Sequence, residues 1–237
     1  MSWEAKTDYC GVAVSGKLAI KASTMNRSGQ YLEKAGKSGA ICATKAFGVV
    51  DAPNCEYVIE KPHSFRSGDI KLGAVTTVDG KRYSLASIHY ENGADQEPVF
   101  TAASQEIEAT SDTTQRTFDV PAFDISPDEA AAMIMSAGTV GGTGCELTKC
   151  TLDASASVKT HTVNALPVAS DVTMGRATVQ IEVLQTGDTV PTLEAGAGWD
   201  VAAPLTCTDP DADFPTWTAT LSKALAYTVA SAQSTQS

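Results

Sequence analysis

The chain lacks the long apolar segments that membrane insertion or secretion requires. In 237 residues no apolar run approaches the ~18 residues of a membrane-spanning helix. The first residues, MSWEAKTDYCG, are polar and acidic and contain no apolar signal-peptide core. We therefore expect a protein that is made and folded in a cytoplasm and has no membrane span.

Metal-ligating side chains are few and scattered. The cysteines stand singly, without a C-x-x-C pair, at positions Cys10, Cys42, Cys55, Cys145, Cys150 and Cys207. The histidines, His63, His89 and His161, are equally isolated. Because a zinc site needs clustered sulfur and nitrogen ligands, the sequence predicts no metal site and no cofactor. In a reducing cytoplasm the cysteines are expected to be buried free thiols.

Aromatic residues make up only 6% of the chain, and leucine is scarce, while Ala, Thr, Ser, Gly and Val dominate. This composition favours strands that pack through small side chains over large helices. The length is sufficient for one large β domain or two small ones. The three tryptophans, Trp3, Trp199 and Trp217, are interpreted as core or interface residues rather than as a carbohydrate platform.

Positive charge is nearly missing from the later part of the chain. Residues 1–90 hold 12 Lys and Arg against 8 Asp and Glu, a net +4, whereas residues 91–237 hold 5 against 20, a net −15. Chance surface composition is one explanation, and head-to-tail assembly of a basic face on an acidic face is the other. The acidic total of −11 argues against binding of nucleic acid through its phosphates.

Segments that alternate apolar and polar residues recur along the chain and predict strands. These segments are 17–23, 41–47, 55–61, 98–109, 115–123, 150–160, 176–186 and 216–225. Residues 74–90 predict a hairpin, because Asp79-Gly80 suits a two-residue type I′ turn. The predicted fold class is mainly β, with antiparallel β-sandwich or barrel modules.

One short helix is predicted over 126–138. Ser126 suits the N-cap, Pro127 the first helical position and Glu129 the capping box, and Gly138 can end the helix. The sequence GTVGGTG (138–144) is expected to be a flexible joint. The chain then divides into an N-terminal module (1–137), a C-terminal module (145–229) and a frayed tail (230–237).

A weak internal repeat supports two modules. At an offset of 93 residues, 86–102 matches 179–195 with four identities, among them Ile88 with Ile181 and Pro98 with Pro191. Both copies follow the order strand, polar turn, Pro, strand. A duplicated module and a coincidence between two hairpins both account for this match.

Residues 24–39, TMNRSGQYLEKAGKSG, are rich in Gly, Ser and Lys and predict a long mobile loop or arm. Such a loop cannot pack a core of its own. Its charged and apolar side chains are suited to ordering against the acidic surface of a neighbour; they are Arg27, Tyr31, Leu32, Lys34 and Lys37. An ordinary surface loop is the alternative interpretation.

The stretch CTDPDADFPTW (207–217) places carboxylates at alternate positions, Asp209, Asp211 and Asp213. An EF-hand loop would need Gly and Glu where Phe214 and Thr220 stand, so that calcium motif is excluded. We interpret the stretch as an acidic turn that starts the strand 216–225.

No catalytic motif is present. The sequence contains no G-x-S-x-G, no P-loop and no dinucleotide-binding G-x-G-x-x-G after a strand. Adjacent carboxylates such as Asp128 and Glu129 are explained by the dipole of the predicted helix. The sequence therefore predicts a non-enzymatic protein, with a hydrolase whose site escapes motif analysis as a distant alternative.

The organisation of the chain resembles that of virion structural proteins, and more narrowly that of tail-tube and related tail proteins of tailed bacteriophages. The features that carry the resemblance are the Thr/Ala/Gly-rich strands, the basic loop 24–39, one short helix and the opposed charges. The resemblance implies β modules that stack as rings, self-association through edge strands and loops, and an acidic channel through which DNA slides without specific binding.

The functional expectation is a self-assembling homo-oligomer that works in the virion, after synthesis in the host cytoplasm, alongside other virion proteins. Tail tube is the leading assignment, with tail tip and capsid decoration left open. An immunoglobulin-like module that recognises glycans or a host is the alternative. The predicted subunit interface comprises Arg27, Tyr31, Leu32, Lys34, Lys37, Asp209, Asp211 and Asp213.

Overall fold

The computed structural model describes residues 7–35, 41–94, 96–107, 115–126, 137–163 and 166–230. These residues form sixteen strands and no helix. The strands are β1 (Leu18–Ala35), β2 (Ile41–Ile59), β3 (His63–Phe65), β4 (Lys71–Leu72), β5 (Val75–Val78), β6 (Lys81–Gly93), β7 (Gln96–Ile107), β8 (Gln115–Asp119), β9 (Phe123–Ile125), β10 (Gly138–Gly141), β11 (Cys145–Val163), β12 (Leu166–Gln185), β13 (Thr192–Ala195), β14 (Asp200–Cys207), β15 (Thr216–Ala224) and β16 (Tyr227–Ala230).

A nine-stranded antiparallel sheet forms the body of the protein. Its order is β1-β2-β7-β6-β11-β12-β15-β14, with β5 paired to β6 beside this path. Three smaller sheets, β16-β8-β4, β3-β9 and β10-β13, accompany it. In the described part of the chain the large sheet does not close into a barrel, and β1 and β14 lie at its two edges. The prediction of a mainly β, antiparallel fold is confirmed.

The core lies on one face of the large sheet because apolar residues alternate with polar ones along its strands. In β11, Cys150, Leu152 and Ala154 are buried, and in β12 Val179 and Val183 are fully buried. The smaller sheets supply the opposing layer of the same core cluster through Phe65, Leu72, Phe118, Phe123 and Ile125. The arrangement is sandwich-like.

Phe100 lies at the centre of an aromatic cluster between the two layers and is 0% exposed. Its ring centroid lies 5.5 Å from that of Tyr57, 6.2 Å from Phe65, 5.9 Å from Tyr90 and 6.1 Å from Phe123. Aromatic contacts at these distances stabilise the fold by more than the burial of their apolar area alone. This cluster joins β2, β3, β6, β7 and β9.

The hairpin predicted over 74–90 is confirmed as β5 and β6. Asp79 and Gly80 form its turn with φ angles of 49° and 77°. Positive φ at both central residues is the requirement of a type I′ turn, and Gly meets it without steric cost.

The prediction of a loop over 24–39 is wrong for residues 24–35, which belong to β1; residues 36–40 lie outside the described part. β1 and β2 pair from Leu18↔Ile59 to Ala35↔Ile41 and form one long ribbon. The predicted strands 41–47 and 55–61 are thus parts of a single strand. Gly, Ser and Lys are weak strand formers, and here the long cross-strand pairing with β2 overrides that weak local preference.

The structure also bears on the predicted helix 126–138 and on the predicted joint 138–144. The predicted helix 126–138 falls mostly on residues 127–136, outside the described part, and stays a prediction; Gly138 is the first residue of β10. The predicted flexible joint 138–144 is wrong for residues 138–141, because these pair with β13 from Gly138↔Ala195 to Gly141↔Thr192. The glycines of this segment could not predict that it pairs with β13, which is distant in the sequence.

The large sheet and its core run through both predicted modules, because β6 pairs with β11. The division at 137–145 stays a prediction. The two repeat segments pair differently. The first lies in β6 and β7, which form a hairpin that turns at Gly93↔Gln96. The second lies in β12 and β13, and β13 pairs with β10 and not with β12.

Candidate functional site

One end of the large sheet is acidic. Antiparallel registers place the end of β2 beside the start of β7, and the end of β12 beside the starts of β11 and β15. Exposed carboxylates crowd this end, namely Glu60, Glu97, Glu146, Asp188, Asp209, Asp211 and Asp213, against Lys17 and Lys61. We call this group of residues the acidic end.

The stretch 208–215 is the turn from β14 to β15, as predicted, and we call it the acidic turn. The backbone N–H and the hydroxyl of Thr208 donate to the carbonyl oxygen of Thr216, at 2.8 and 3.0 Å. The indole N–H of the partly buried Trp217 donates to Gln185 Oε1 at 2.9 Å. Among the described residues, no group of three or more His, Cys, Asp or Glu is arranged to hold a metal ion.

The opposite end of the sheet carries both signs of charge. Basic side chains there are Arg27, Lys81, Arg82, Lys159, Arg176 and Lys223. Acidic side chains there are Asp51, Asp79, Glu106, Asp171 and Asp200. Both parts of the sequence contribute to both ends, and the fold has one strongly acidic end and one end with a small excess of basic groups.

We call this end the mixed end. Here Asp51 connects the ribbon of β1 and β2 to the rest of the large sheet. Its side chain is 3% exposed. Asp51 Oδ1 accepts from Arg27 Nε at 2.6 Å, and Oδ2 accepts from Arg27 Nη2 at 3.0 Å and from Lys81 Nζ at 2.8 Å. Glu106 accepts from Lys81 at 3.0 Å and from the backbone N–H of Asp51 at 3.1 Å. This cluster connects β1, β2, β6 and β7.

The hydrogen bonds from Arg27 and then Lys81 lower the pKa of Asp51 to about 2, against the effect of burial, which raises it. The same contacts raise the pKa of Lys81, with Asp51 as the larger cause and Glu106 as the second. Asp51 is therefore ionised at neutral pH and in mildly acidic solution. Sequence reasoning missed this cluster because its members are far apart along the chain.

The predicted interface residues fall at opposite edges of the sheet. Arg27 is in β1, where it is paired with Asp51 while its side chain keeps 63% exposure. Tyr31, Leu32 and Lys34 also belong to β1, and Lys37 lies outside the described residues. Asp209, Asp211 and Asp213 are exposed in the acidic turn, beyond β14. Within one chain, the described members of the two predicted groups do not meet.

The two edge strands have different characters. β1 is long and carries Lys21 and Arg27. β14 is short, and its residues are mostly exposed, with Val201 at 46%. Pro204 and two register shifts interrupt its pairing with β15. Among the described strands, β1 pairs only with β2, and in the large sheet β14 pairs only with β15. Each therefore leaves one edge available to another strand.

The outer face of the sheet is polar and contains a shallow groove of about 460 Å³ across β6, β11, β12 and β15. His89 Nδ1 lies 2.7 Å from Asp153 Oδ1 in this groove. Lys149 Nζ lies 3.0 Å from Glu91 Oε1 beside it. Lys149 thus neutralises one carboxylate of this face, and His89 neutralises a second when it is protonated.

The His89–Asp153 pair gives a testable pH dependence. The hydrogen bond to Asp153 raises the pKa of His89, against burial, which lowers it. A raised pKa in the folded state means that the pair stabilises the fold below the ordinary histidine pKa, and that this contribution is lost as pH rises through the raised value. In an NMR titration we expect His89 to titrate above 6.5.

Asp153→Asn should lower the pKa of His89, because it removes the ionic partner of the imidazole. Asp171→Asn is the matched control, since Asp171 faces Arg116 at 3.6 Å and lies away from His89. If the pKa of His89 were unchanged in the Asp153→Asn variant, the contact with Asp153 would not be the cause of the raised pKa.

The prediction of buried free thiols is confirmed for Cys10, Cys55 and Cys150. Cys145 and Cys207 are free but partly exposed. Cys10 also lines a cavity of about 500 Å³ between the N-terminal segment and β3, β4 and β5.

No helix in the described ranges is long and apolar enough to cross a membrane. Comparison with protein-family models and with curated proteins finds no match to the chain.

Proposed function

We propose that the chain is a non-enzymatic, self-assembling structural protein of a phage virion, with a tail-tube subunit as the leading assignment. The observation that carries the proposal is the large sheet with one open edge at β1 and another at β14. Open edges of this kind favour pairing with a further strand. A second copy of the same chain offers both edges.

Strand direction suits this pairing. Neighbours along the path are antiparallel, and the path holds an even number of strands, so β1 and β14 run in opposite directions. In a ring with rotational symmetry every copy has the same orientation along the axis. β14 of one copy would then meet β1 of the next as an antiparallel pair, the pairing that every other junction of the sheet uses.

Charge suits the stacking of such rings. All the acidic ends would face one side of a ring, and the mixed ends, with Arg82, Lys159 and Arg176, would face the other. Stacked rings would bring the two kinds of end together, which favours association at low salt. The acidic turn with Asp209, Asp211 and Asp213 would lie at this junction.

The polar outer face of the sheet would line the channel. It carries the carboxylates of Glu91, Asp153 and Glu182 along the groove, and Lys149 and His89 offset part of their charge. The remaining negative charge would repel the phosphates of DNA and allow the duplex to slide without specific binding. Other virion proteins would contact the ends of the tube.

Placing a lysine on the β14 edge should block assembly. In Val201→Lys a charged lysine would stand on the open edge of β14, and an edge lysine is a common device against strand addition. We expect a shift from rings to monomers in sedimentation velocity, with an unchanged circular dichroism spectrum.

Val99→Lys is the matched control, because Val99 is an exposed valine (38%) on β7, inside the sheet. It should assemble as the unaltered chain does. Assembly by Val201→Lys to the same extent would contradict edge pairing. A monomeric unaltered chain that binds sugars on a glycan array would favour the alternative, an immunoglobulin-like recognition module.

A further inference from the structure

Two buried thiols from distant parts of the sequence meet in the core. Cys55 belongs to β2 and is 0% exposed, and Cys10 lies in the N-terminal segment 7–14 and is 4% exposed. Both cysteines are free. The N-terminal segment therefore contributes a sulfur to the same layer of the core as the large sheet.

Backbone contacts place the two cysteines beside each other. Ala102 is the cross-strand partner of Cys55, and Cys10 Sγ lies 3.3 Å from the carbonyl oxygen of Ala102. Cys55 Sγ lies 4.0 Å from the carbonyl oxygen of Thr7, three residues before Cys10. Cys10 thus contacts the residue that pairs with Cys55, and Cys55 contacts the backbone that leads into Cys10.

Asp8 holds the segment in this position. Its carboxylate accepts from the backbone N–H groups of Cys10, Gly11 and Ala13 at 3.0, 2.8 and 2.8 Å. It also accepts from the Tyr57 hydroxyl at 2.8 Å, and Tyr57 shares a face of β2 with Cys55. The two sulfurs are thus held together by a network that does not depend on a bond between them.

We propose that Cys10 and Cys55 form an oxidation site, at which a peroxide converts the two thiols into a disulfide that ties the segment 7–14 covalently to β2. This inference is independent of the proposed assembly. It concerns a modification within one chain, and its test does not require oligomers.

The surroundings favour reaction at this pair over other buried thiols. The hydrogen bond from Cys10 lowers the pKa of Cys55, against burial, which raises it. Cys150, by contrast, has its pKa raised to about 12 by burial. The cavity of about 500 Å³ that Cys10 lines gives a small oxidant a route to the Cys10 side of the pair.

The chemistry balances with hydrogen peroxide as the oxidant. The deprotonated sulfur of the pair attacks one peroxide oxygen, so that an S–O bond forms, the O–O bond breaks and hydroxide leaves as water after taking a proton. The second sulfur then attacks the first, so that the S–S bond forms, the S–O bond breaks and the second water leaves. Two thiols lose two electrons, and one peroxide is reduced to two waters.

Peptide mapping tests the inference directly. The full chain is treated with hydrogen peroxide, its remaining thiols are alkylated, and it is digested with trypsin. We expect residues 7–17 joined to residues 46–66, with a mass lower by two hydrogen atoms than the sum of the two peptides. Cys150→Ala should give the same linked peptide. Cys10→Ala and Cys55→Ala should not.

Thermal unfolding gives a second readout. Closing the loop between Cys10 and Cys55 should raise the midpoint of the oxidised chain over the reduced chain by on the order of 10 °C, and the rise should be absent in Cys55→Ala. The inference is overturned if Cys10 and Cys55 remain fully alkylatable after oxidation, if they link only between chains, or if either becomes a sulfinic acid without forming a link.

Discussion

Replacing Phe100 by alanine should lower the free energy of unfolding by about 3 to 5 kcal/mol, the range for a fully buried phenylalanine. The ring is 0% exposed and lies within about 6 Å of four other aromatic rings. Its loss would leave a cavity between the large sheet and the smaller sheets. The surrounding strands are fixed by their own hydrogen bonds, so the cavity could collapse only in part.

Urea unfolding followed by circular dichroism measures this loss. Phe214→Ala is the matched control, because Phe214 is 56% exposed in the acidic turn, and it should change the free energy by less than about 0.5 kcal/mol. If Phe100→Ala cost less than about 1 kcal/mol, Phe100 could not be the centre of a single packed core.

Replacing Asp51 by alanine should lower the free energy of unfolding at neutral pH by about 2 to 3 kcal/mol. The carboxylate is buried and accepts three charge-assisted hydrogen bonds, each stronger than a neutral one. Arg27 and Lys81 are 63% and 45% exposed, so they can regain water once Asp51 is gone. That rehydration keeps the loss below the full cost of an unpaired buried charge.

The pH dependence of the same variant follows from linkage. The pKa of Asp51 is lowered in the folded state, from 3.8 to about 2. Its contribution is therefore complete above the unfolded pKa and is lost as pH falls through the folded value. Between pH 5 and pH 2 the unaltered chain should lose about 2 kcal/mol that Asp51→Ala does not lose.

Stability curves against pH for the two chains should converge near pH 2. Asp188→Ala serves as the control, because Asp188 is an exposed carboxylate at the acidic end; at neutral pH its effect should stay within about 0.5 kcal/mol. Parallel curves for Asp51→Ala and the unaltered chain across this range would show that Asp51 is not held as an ion by Arg27 and Lys81.

Local patterns predicted much of the sheet. The alternation of Cys150, Leu152 and Ala154 identified both the strand and its buried face, and Asp79-Gly80 identified the hairpin turn, because these signals are set by neighbouring residues. The composition of 24–35 favours a loop, and only the pairing of β1 with β2 makes it a strand. Gly138–Gly141 is paired with β13 for the same non-local reason.

The candidate site was partly predictable. Composition identified the acidic turn and the opposed charges, but it could not show that the acidic loops gather at one end of the sheet. That fact depends on strand order, as do the open edges at β1 and β14. Asp51 with Lys81, and Cys10 with Cys55, are pairs that only the folded chain brings together.

Electron microscopy of the purified chain is the most direct test of the central claim, that the protein assembles through the edges of its sheet. Negative staining at high protein concentration and low salt should show rings or tubes, which added salt should shorten or separate. A clean monomer under these conditions would contradict the account.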